Sequence, residues 1–375
     1  MKKVQCVHIY HGTQGNGGLY LDEIIKALEE QGISQEVYVS YYFPFNYGKK
    51  YFFKYTDLLG GMKKGLFRLF LRYFELIFGL CRTFISLLLR RPSIINYSVI
   101  SNVYFPEKIF IIALKWFTNS KIVFTCHDVI PFSETQSNIE FLVRRKKSFI
   151  RKADYYIVHT LQSRDELIKY YGIISHKIFF YRFPIMDLER LPFIKKGNKN
   201  SKNLDFLFIG HLRKEKGLDF LLEAWKLYFV RYKPYGIKLF IAGNAPKGKT
   251  WDRINLAKYN IFLCDKYLTD QEYYDLVISA NYVVLPYIRG TNSGVISTVL
   301  SLGANVLCSD IQMFKQNPLV SETEFFKSND IHSFVESIHQ LAINRNLKDK
   351  SKQLKLYRKE FRLELQEVYD CLLAI

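Results

Sequence analysis

The strongest constraint on the fold is a repeated alternation of short apolar runs with helical patterns along the 375-residue chain. The N-terminal series begins with the strand pattern "VQCVHIYHG", the helix pattern "GGLYLDEIIKALEEQG" and the strand pattern "SQEVYVSYY". A second series starts at "LDFLFIGHL" and repeats this order in the C-terminal half. Strands separated by helices pair in parallel, so the sequence predicts two Rossmann-like, doubly wound α/β domains.

A polar, basic segment rich in Gly and Asn, "FIKKGNKNSKN", separates the two series. Such a composition is typical of a linker. We therefore predict an N-terminal domain over 1–194, a linker over 195–203 and a C-terminal domain over 204–355. We predict that the remaining segment, 356–375, forms a helix that crosses back to the N-terminal domain.

The charge of the chain is strongly positive, since 54 basic and 35 acidic residues give a formal net charge of +19. A surface of this kind attracts nucleic acid, an anionic membrane face or a phosphorylated substrate. The basic residues are spread over both halves, and no nucleic-acid recognition motif is present. This distribution favours the membrane and the phosphorylated substrate over nucleic acid.

The six cysteines are dispersed and form no C-x-x-C pair. Their spacing indicates a reducing compartment and disfavours a disulfide framework or a zinc site. The N-terminus begins a strand directly, without the apolar run of a signal peptide. The sequence thus predicts a cytoplasmic protein.

The segment 62–91 is a long helical pattern that is too charged to span a bilayer. On a helical wheel its charged side chains occupy an arc of roughly 80–90°, and the rest of the wheel is apolar. One interpretation is a helix buried in the N-terminal domain with one solvated edge. The other is an interfacial helix on an anionic membrane, which implies peripheral attachment to the inner face of the cell membrane. The charged positions are Arg68, Arg72, Glu75, Arg82 and Arg90.

The loop "HGTQGNGG" follows the first strand pattern and opens a helix. Glycines at such a position let backbone N–H groups approach an anion, which the helix dipole also favours. The spacing differs from G-x-G-x-x-G, and no acid follows the second strand, so a dinucleotide-binding dehydrogenase is disfavoured. A ligand site and a purely structural turn both remain compatible with this loop.

His127 and Asp128, in "VFTCHDVIP", come just past the end of a predicted buried strand. Ligands bind at this edge of open α/β sheets. A histidine–aspartate pair there suits hydrogen bonding to a sugar hydroxyl or proton transfer, although a structural histidine is equally compatible. Cys126 points to the opposite face, because neighbouring strand residues alternate, so no Cys/His dyad is predicted.

The stretch "FLFIGHLRKEKGLDFLLEAW" is the most specific in the chain. Its strand pattern ends at Gly210, a basic loop follows, and Lys216-Gly217 leads into a helix. Arg213 and Lys216 are suited to neutralising a diphosphate as it leaves. The alternative is a solvated basic loop.

The stretch "IRGTNSGVISTVLSLGANVLCSDI" places small residues where a loop meets an apolar helix, and an apolar strand follows. This layout predicts an anion site at a helix N-terminus.

Together these stretches resemble a known family, the nucleotide-sugar-dependent glycosyltransferases of the GT-B fold. In particular, they resemble the large retaining group that builds bacterial surface polysaccharides. The resemblance runs through "GNGG", "CHDVIP", "ADYYIVHTLQSRDELIKYYG", "FIGHLRKEKGLDFLLEAW", "LFIAGN" and "ANYVVLPYIRGTNSGVISTVLSLGANVLCSDI". It is weakest from 40 to 100. It implies two Rossmann-like domains with an inter-domain cleft, the acceptor binding mainly to the first and the nucleotide-sugar to the second.

The resemblance implies roles for individual residues. Arg213 and Lys216 match the basic pair that stabilises the departing diphosphate, and His127 matches the histidine near the transferred sugar. Gly17 and Gly18 match the glycine loop that faces the donor phosphates and the acceptor. The other residues implied to contact the nucleotide-sugar are Gly210, Tyr267, Asn292, Ser293 and Gly294.

The chain departs from many relatives in lacking two glutamates, seven residues apart, that contact the donor sugar and the ribose hydroxyls. The corresponding positions are Gly290 and Thr298, or Thr291 and Val299 in the neighbouring register. A subgroup with "SG" in this loop also lacks the acidic pair. Backbone N–H groups, a helix dipole and basic side chains hold phosphate without acids, so both a rearranged site and an inactive member are compatible with the sequence.

The predicted function is transfer of a sugar from a nucleotide diphosphate sugar, UDP- or GDP-linked, to a lipid-linked glycan acceptor in bacterial polysaccharide, O-antigen or capsule synthesis. Retention of configuration follows from the resemblance alone. The absence of Asp-x-Asp favours a metal-independent reaction without a bound cofactor, in which Asp128 is a possible helper. The alternatives are a catalytically silent GT-B subunit of a polysaccharide assembly complex and a basic nucleic-acid-binding protein.

Overall fold

The computed structural model describes residues 4–12, 17–41, 43, 45–52, 65–98, 104–130, 136–187, 204–244, 253–290, 293–344 and 347–375. Contacts divide the chain into two compact units. The N-terminal unit comprises 1–184 together with 360–375, and the C-terminal unit comprises 185–359. The predicted linker, 195–203, lies outside the described residues, so the domain boundaries around it stay a prediction.

The N-terminal unit is built on a parallel sheet with strand order β3-β2-β1-β4-β5-β6-β7. The order reverses between β1 and β4, so the loops after these two strands diverge at the carboxyl edge. Buried apolar runs form the central strands because both faces of the sheet are covered. The strands are β1 (Cys6–Tyr10), β2 (Gln35–Ser40), β3 (Lys49–Phe52), β4 (Ile94–Tyr97), β5 (Lys121–Thr125), β6 (Tyr155–Val158) and β7 (Ile178–Phe180).

Helices cover both faces of this sheet. One apolar core lies between the sheet and the second to fifth helices, and the other holds α1 with the last part of the C-terminal helix. A π-helical turn, Leu167–Tyr171, continues α5. The helices are α1 (Gly17–Glu30), α2 (Leu66–Arg90), α3 (Tyr104–Phe117), α4 (Gln136–Ile150) and α5 (Leu161–Glu166).

The C-terminal unit contains a second parallel sheet with strand order β10-β9-β8-β11-β12-β13, which reverses between β8 and β11. Its strands are β8 (Leu204–Ile209), β9 (Ile237–Gly243), β10 (Ile261–Asp265), β11 (Tyr282–Leu285), β12 (Asn305–Ser309) and β13 (Phe325–Phe326). The helices are α6 (Leu218–Tyr232), α7 (Arg253–Ala257), α8 (Asp270–Ser279), α9 (Gly294–Ser301), α10 (Gln312–Lys315), α11 (Ile331–Asn344) and α12 (Ser351–Ala374).

The end of α12, over 360–375, belongs to the N-terminal unit. Phe361 and Tyr369 are buried in the core beside α1. Arg182, just after β7, donates through Nη2 and Nε to Glu364 at 2.7 and 3.0 Å, and it also pairs with Glu360. Apolar burial and an ion pair in which two guanidinium nitrogens donate to Glu364 Oε1 thus hold this part of the helix.

Two strands were not predicted from the sequence. β3 lies in a segment interpreted as an aromatic loop, and β13 has only two residues. Both are edge strands, which need no continuous apolar run because one side lacks a neighbouring strand. Gly79 in α2 allows the β3 residue Phe52 to approach, since a Cβ at Gly79 would lie 2.6 Å from its ring.

The prediction that α2 is buried with a single solvated edge is wrong. Its buried residues are Gly79, Leu80, Thr83 and Leu87, which face the unit. Most of its other apolar side chains are exposed, including Phe67, Phe70, Phe74 and Leu89. The helical wheel separates charged from apolar residues, but it does not reveal that only a narrow apolar strip meets the sheet. None of the described helices is long and apolar enough to cross a membrane.

Candidate functional site

The basic loop after β8 and the start of α9 meet at the reversal of strand order in the C-terminal unit. β8 and β11 are hydrogen-bonded neighbours. Gly210, directly after β8, has φ +119°, and a Cβ at this position would lie 3.5 Å from Val295 in the first turn of α9. Ligands of doubly wound sheets bind at such a reversal.

The turn that carries Arg213 and Lys216 is held by backbone geometry. Residues Lys214–Lys216 form a 3₁₀ turn that ends at Gly217, with φ +72°. A Cβ on Gly217 would lie 1.8 Å from the Pro286 carbonyl oxygen, so only glycine fits this close approach. The loop after β11 therefore packs directly on the end of the basic turn.

Three basic side chains share the mouth of this site. The Lys216 ammonium lies 3.7 Å from the centre of the Tyr287 ring, and Arg213 is largely exposed, 3.7 Å from Glu215. The pKa of His211 is lowered by partial burial and by the positive charges of Arg213 and Lys216. The site is therefore electropositive and open to a multiply charged anion.

Ser293 is the N-cap of α9 and is almost fully buried. Its hydroxyl oxygen makes no capping hydrogen bond and has no partner among the residues that the structure describes. A buried hydroxyl without a partner is costly, and a helix N-terminus attracts anions. The Ser293 hydroxyl thus lies at the start of α9, beside the basic turn, without a hydrogen-bond partner among the described residues. Asn292, also predicted to contact the donor, lies outside the described residues.

The two positions expected to carry glutamate in relatives are occupied differently. Thr298 is fully buried, and its hydroxyl donates to the Gly294 carbonyl at 2.9 Å. A Cβ on Gly290 would lie 3.2 Å from Met313. Thr298 is buried and Gly290 has no side chain, so neither supplies a carboxylate to a ribose or sugar hydroxyl. In the neighbouring register Val299 is apolar and buried, and Thr291 lies outside the described residues.

Tyr267 lies apart from the basic turn. It follows β10, the edge strand, and its side chain is 60% exposed. Two strands, β9 and β8, separate β10 from the reversal of strand order. Tyr287 is the aromatic residue that the sequence analysis missed, because its position after "NYVVLP" showed no sign of a contact with Lys216.

In the N-terminal unit, packing against Tyr10 explains two glycines of the loop "HGTQGNGG". A Cβ on Gly12 or Gly17 would lie 2.6 or 2.7 Å from the Tyr10 ring or hydroxyl. The Tyr10 side chain is buried, which raises its pKa to about 12. The absence of side chains at Gly12 and Gly17 therefore makes room for Tyr10, whereas Gly18 is a buried residue of the first turn of α1.

His127 lies past the end of β5 in a cluster of rings. It packs edge-on to Tyr20 at 4.6 Å and stacks on His159 at 5.3 Å between ring centres. Burial lowers the pKa of His127 to about 4, and a hydrogen bond with the Ser98 backbone opposes this shift. The imidazole is thus neutral near pH 7. Its Nε2 is buried and has no partner among the described residues.

His159, past the end of β6, was not predicted. Its Nδ1 lies 3.1 Å from the Tyr181 carbonyl, so this nitrogen carries the proton and Nε2 is an acceptor. That Nε2 is also buried without a partner among the described residues. Burial and the adjacent His127 hold its pKa well below the usual range. Two neutral imidazoles therefore offer unused nitrogens at neighbouring strand ends.

Asp128 is exposed. Lys146 and Glu166, which the sequence analysis did not predict, interact with it. The buried Lys146 donates to the Asp128 carbonyl oxygen at 2.9 Å, which holds the loop after His127. The pKa of Lys146 is lowered by burial. Glu166 has a raised pKa because of burial, and the Asp128 charge adds to the shift. Glu166 lies in the quoted stretch "ADYYIVHTLQSRDELIKYYG", but nothing in the sequence singled out Glu166 or Lys146, which come from α5 and α4.

A further buried pair lies past the end of β1. His11 Nε2 is 2.9 Å from Glu107 Oε1, although the N–H direction is not aligned with that oxygen. Tyr97 donates its hydroxyl to the same Oε1 at 2.9 Å. His11, Ser98, His127 and His159 therefore follow four strands at one edge of the sheet. Among the described residues, no group of three or more His, Cys, Asp or Glu side chains is suited to hold a metal ion.

The two parallel sheets define an α/β protein with two Rossmann-like units, and basic side chains and a helix start lie at the reversal of strand order in the C-terminal unit. The family model described as "Glycosyl transferases group 1" matches residues 203–344, and the model described as "Glycosyltransferase Family 4" matches residues 17–180. The chain belongs to the glycosyltransferases of the GT-B fold, which use nucleotide-sugar donors. The predicted family and fold class are thereby confirmed.

Solved structures share this fold at low sequence identity. The catalytic domain of Starch Synthase IV from Arabidopsis thaliana, bound to ADP and acarbose, has a TM-score of 0.67 at 13% identity, covering 100% of both chains. The structure described as "Trehalose-6-phosphate from E. coli bound with UDP-2-fluoro glucose" has a TM-score of 0.63 at 11% identity over 99% of both. The lipopolysaccharide outer core galactosyltransferase WaaB has a TM-score of 0.61 at 13% identity over 99% of both. No curated protein sequence is significantly similar to the chain.

Proposed function

We propose that this glycosyltransferase moves a sugar from a UDP- or GDP-sugar to a lipid-linked glycan acceptor, with retention of anomeric configuration and without a metal ion. The observation that carries the donor assignment is the convergence of Arg213, Lys216 and Ser293 at one reversal of strand order, where the Ser293 hydroxyl has no partner among the described residues. Fixed positive charges and a helix N-terminus stabilise the negative charge that develops on a leaving diphosphate.

The chemical step needs little from the enzyme beyond this stabilisation. The bond between the anomeric carbon and the diphosphate oxygen breaks, and the acceptor hydroxyl forms the new bond. In the retaining group that the chain resembles, the leaving phosphate is thought to take the acceptor proton. Arg213 and Lys216 supply the charge that a metal ion supplies elsewhere, which supports metal independence. In this proposal Gly210, Tyr267, Asn292 and Gly294 contact the donor.

The N-terminal unit binds the acceptor and the transferred sugar in this proposal. The unused Nε2 atoms of His127 and His159 are neutral acceptors for sugar hydroxyls, because protonation is suppressed by burial. Asp128 and Gly18 contribute to the same edge of the sheet. The lipid-linked acceptor, and with it a peripheral position on the inner face of a bacterial cell membrane, is supported by the net charge of +19 and by the exposed apolar face of α2.

The test is the thermal stability of the purified protein with UDP, GDP, ADP, CMP and matching sugar nucleotides. A ligand at 100 times its dissociation constant adds about 2.7 kcal/mol to the free energy of unfolding. We expect one nucleotide diphosphate to stabilise the wild type and the Lys214→Ala variant, but not Arg213→Ala. Lys214 is the matched control because it lies in the same turn and is exposed. The absence of any stabilisation would contradict the donor site.

Two further measurements address the chemistry. Turnover that persists in excess EDTA supports metal independence, and complete loss restored by Mg²⁺ or Mn²⁺ contradicts it. NMR of the product reports the anomeric configuration, and an inverted product contradicts retention.

A catalytically silent subunit of a polysaccharide assembly complex is the second candidate. It is favoured by Thr298, whose hydroxyl is bonded within its own helix where many relatives carry a glutamate. Nucleotide binding without turnover of any sugar nucleotide, including hydrolysis, would favour this candidate over the enzyme.

A further inference from the structure

An apolar groove runs between α2 and α3 in the N-terminal unit. Its cavity volume is about 460 Å³, within the range of small-molecule sites, roughly 300–1,000 Å³. The lining side chains are apolar apart from the Tyr73 hydroxyl and the Cys81 thiol. Ile77 and Phe84 of α2, with Phe105 and Ile109 of α3, form its walls. A groove without polar partners suits a hydrocarbon chain and disfavours a hydrogen-bonding ligand.

Exposed apolar strips border the groove on both helices. On α2 the strip includes Phe74, Phe78 and Leu89, and Leu89 is 82% exposed. On α3 it follows Phe105, Ile109 and Trp116, which share one face at helical spacing. Trp116 is also 82% exposed. Apolar area of this extent on two adjacent helices marks an interaction surface.

Basic side chains frame these strips. At 100° per residue, Arg68, Arg72 and Arg82, with Glu75 among them, follow the edge of α2 beyond its strip, on the side away from the groove. Lys108 follows the corresponding outer edge of α3, and Lys115 on the same edge is ion-paired with Asp154. Across the surface, the basic edge of α2 is therefore followed by the apolar strip of α2, the groove, the apolar strip of α3 and the basic edge of α3. This arrangement complements a lipid with an anionic head and a hydrocarbon tail.

The basic frame disfavours a second copy of this chain as the occupant. A two-fold interface brings the same patch of both subunits together. Because both outer edges are basic, either pairing of the strips would oppose like charges across the interface. An anionic partner meets attraction at both edges instead.

One end of the groove lies toward the carboxyl edge of the sheet. α3 follows β4, so its N-terminal residues Phe105 and Ile109 lie toward the carboxyl edge. α2 precedes β4, and its last residues therefore lie toward the opposite edge. The carboxyl edge carries His11 and His127. A hydrocarbon chain in the groove would thus leave its head group on the side of the sheet where acceptor chemistry is expected.

We propose that the groove between α2 and α3 binds the hydrocarbon chain of a phosphate-linked lipid acceptor, with the basic frame attracting the phosphate. This inference rests on the proposed function and names the chemistry of its acceptor. The groove and the exposed strips are two surfaces on the same face of the unit. The groove holds one chain, and the exposed strips contact the bilayer.

Cys81 offers a direct readout because it lines the groove and is exposed. In a Cys264→Ser, Cys371→Ser background, the other three cysteines are buried. We expect monomeric dodecyl phosphate, at ten times its dissociation constant, to slow alkylation of Cys81 by N-ethylmaleimide about tenfold. Butyl phosphate at the same concentration should leave the rate unchanged. Equal rates with and without dodecyl phosphate would overturn the proposal. Protection by anionic vesicles where dodecyl phosphate gives none would overturn it too.

Two variants separate the groove from the bilayer-contacting strips. Ala113→Trp fills the groove without removing apolar surface, so it should abolish protection of Cys81 while binding to phosphatidylglycerol vesicles persists. Leu89→Ser, on a strip outside the groove, should weaken vesicle binding while protection by dodecyl phosphate persists. Full protection in Ala113→Trp would overturn the assignment. Because protection is measured without turnover, its failure is distinct from failure of the donor-binding test.

Discussion

The Lys216 ammonium lies 3.7 Å from the centre of the Tyr287 ring. Lys216 ends the basic turn after β8, and Tyr287 follows β11, so the contact joins the two loops at the reversal of strand order. The ring holds a flexible ammonium in place without neutralising its charge. In the proposed donor site, this contact positions Lys216 to meet the leaving diphosphate.

Replacement of Tyr287 tests this orientation. Tyr287→Leu should weaken nucleotide-sugar binding about two- to fivefold, because a cation–π contact contributes about 0.5–1 kcal/mol. Tyr287→Phe should bind as the wild type does, since the Tyr287 hydroxyl has no partner among the described residues. Calorimetric titration with the identified nucleotide measures both. Equal loss in the two variants would show that the hydroxyl, and not the ring, matters.

Ser293→Ala should change stability and binding in opposite directions. Removal of a buried hydroxyl without a partner should raise the free energy of unfolding of the ligand-free protein by about 1 kcal/mol. Diphosphate binding should weaken about 10- to 150-fold, since a hydrogen bond to a charged group contributes about 1.5–3 kcal/mol. Urea unfolding and nucleotide titration check the two effects.

Ser301→Ala is the matched control on the same helix. The Ser301 hydroxyl donates to the Ser297 carbonyl at 2.6 Å and accepts from the Met186 N–H at 2.8 Å. Its loss should lower stability and leave nucleotide affinity unchanged. A stabilised Ser301→Ala variant, or a destabilised Ser293→Ala variant, would contradict the assigned hydrogen bonding.

Buried histidines make stability depend on pH. Burial lowers the pKa values of His127 and His8 to about 4, and that of His159 is also well below the usual range. Unfolded histidines bind protons below about pH 6.5, whereas these folded ones do not. The free energy of unfolding should therefore fall as the pH drops from about 6.5 toward 4. Urea unfolding at pH 7.5 and pH 5.0 measures the decrease, which His127→Gln should reduce.

The buried ion pair of the C-terminal unit predicts an asymmetric mutational effect. Lys350 Nζ lies 2.7 and 2.9 Å from the two Glu324 oxygens, and both side chains are buried. Lys350→Met should destabilise the protein by about 3–5 kcal/mol, because Glu324 stays buried without its partner. The double variant Lys350→Met, Glu324→Gln should recover part of this loss. Denaturant unfolding measures both, and a single-variant effect below about 1 kcal/mol would refute the prediction.

The sequence predicted the elements of secondary structure with few exceptions. Apolar runs and helical periodicity depend on local chemistry, so the central strands of both sheets were recognisable. The exceptions, β3 and β13, are short strands at sheet edges, whose residues need no two-sided burial. The same local patterns identified Arg213, Lys216 and the Ser293–Gly294 helix start.

Several site residues were beyond the reach of sequence patterns. His159, Lys146 and Glu166 become relevant only because β5, β6 and their helices bring them beside His127 and Asp128. The glycine of the first loop, Gly17, matches an anion-binding pattern, yet the Tyr10 ring accounts for its missing side chain. A linear motif cannot distinguish room for a ligand from room for a neighbouring ring.

The sequence by itself determined the alternation of strands and helices, the charge of the chain and the family to which it belongs. These follow from residue order, because secondary structure and motif spacing are local properties. The tertiary structure decided which side chains meet. It left the apolar faces of α2 and α3 exposed and lowered the pKa values of the buried histidines. Within the described part of the chain, it also left the Ser293 hydroxyl without a partner. Burial and strand order bring distant residues together, and both arise only when the whole chain packs.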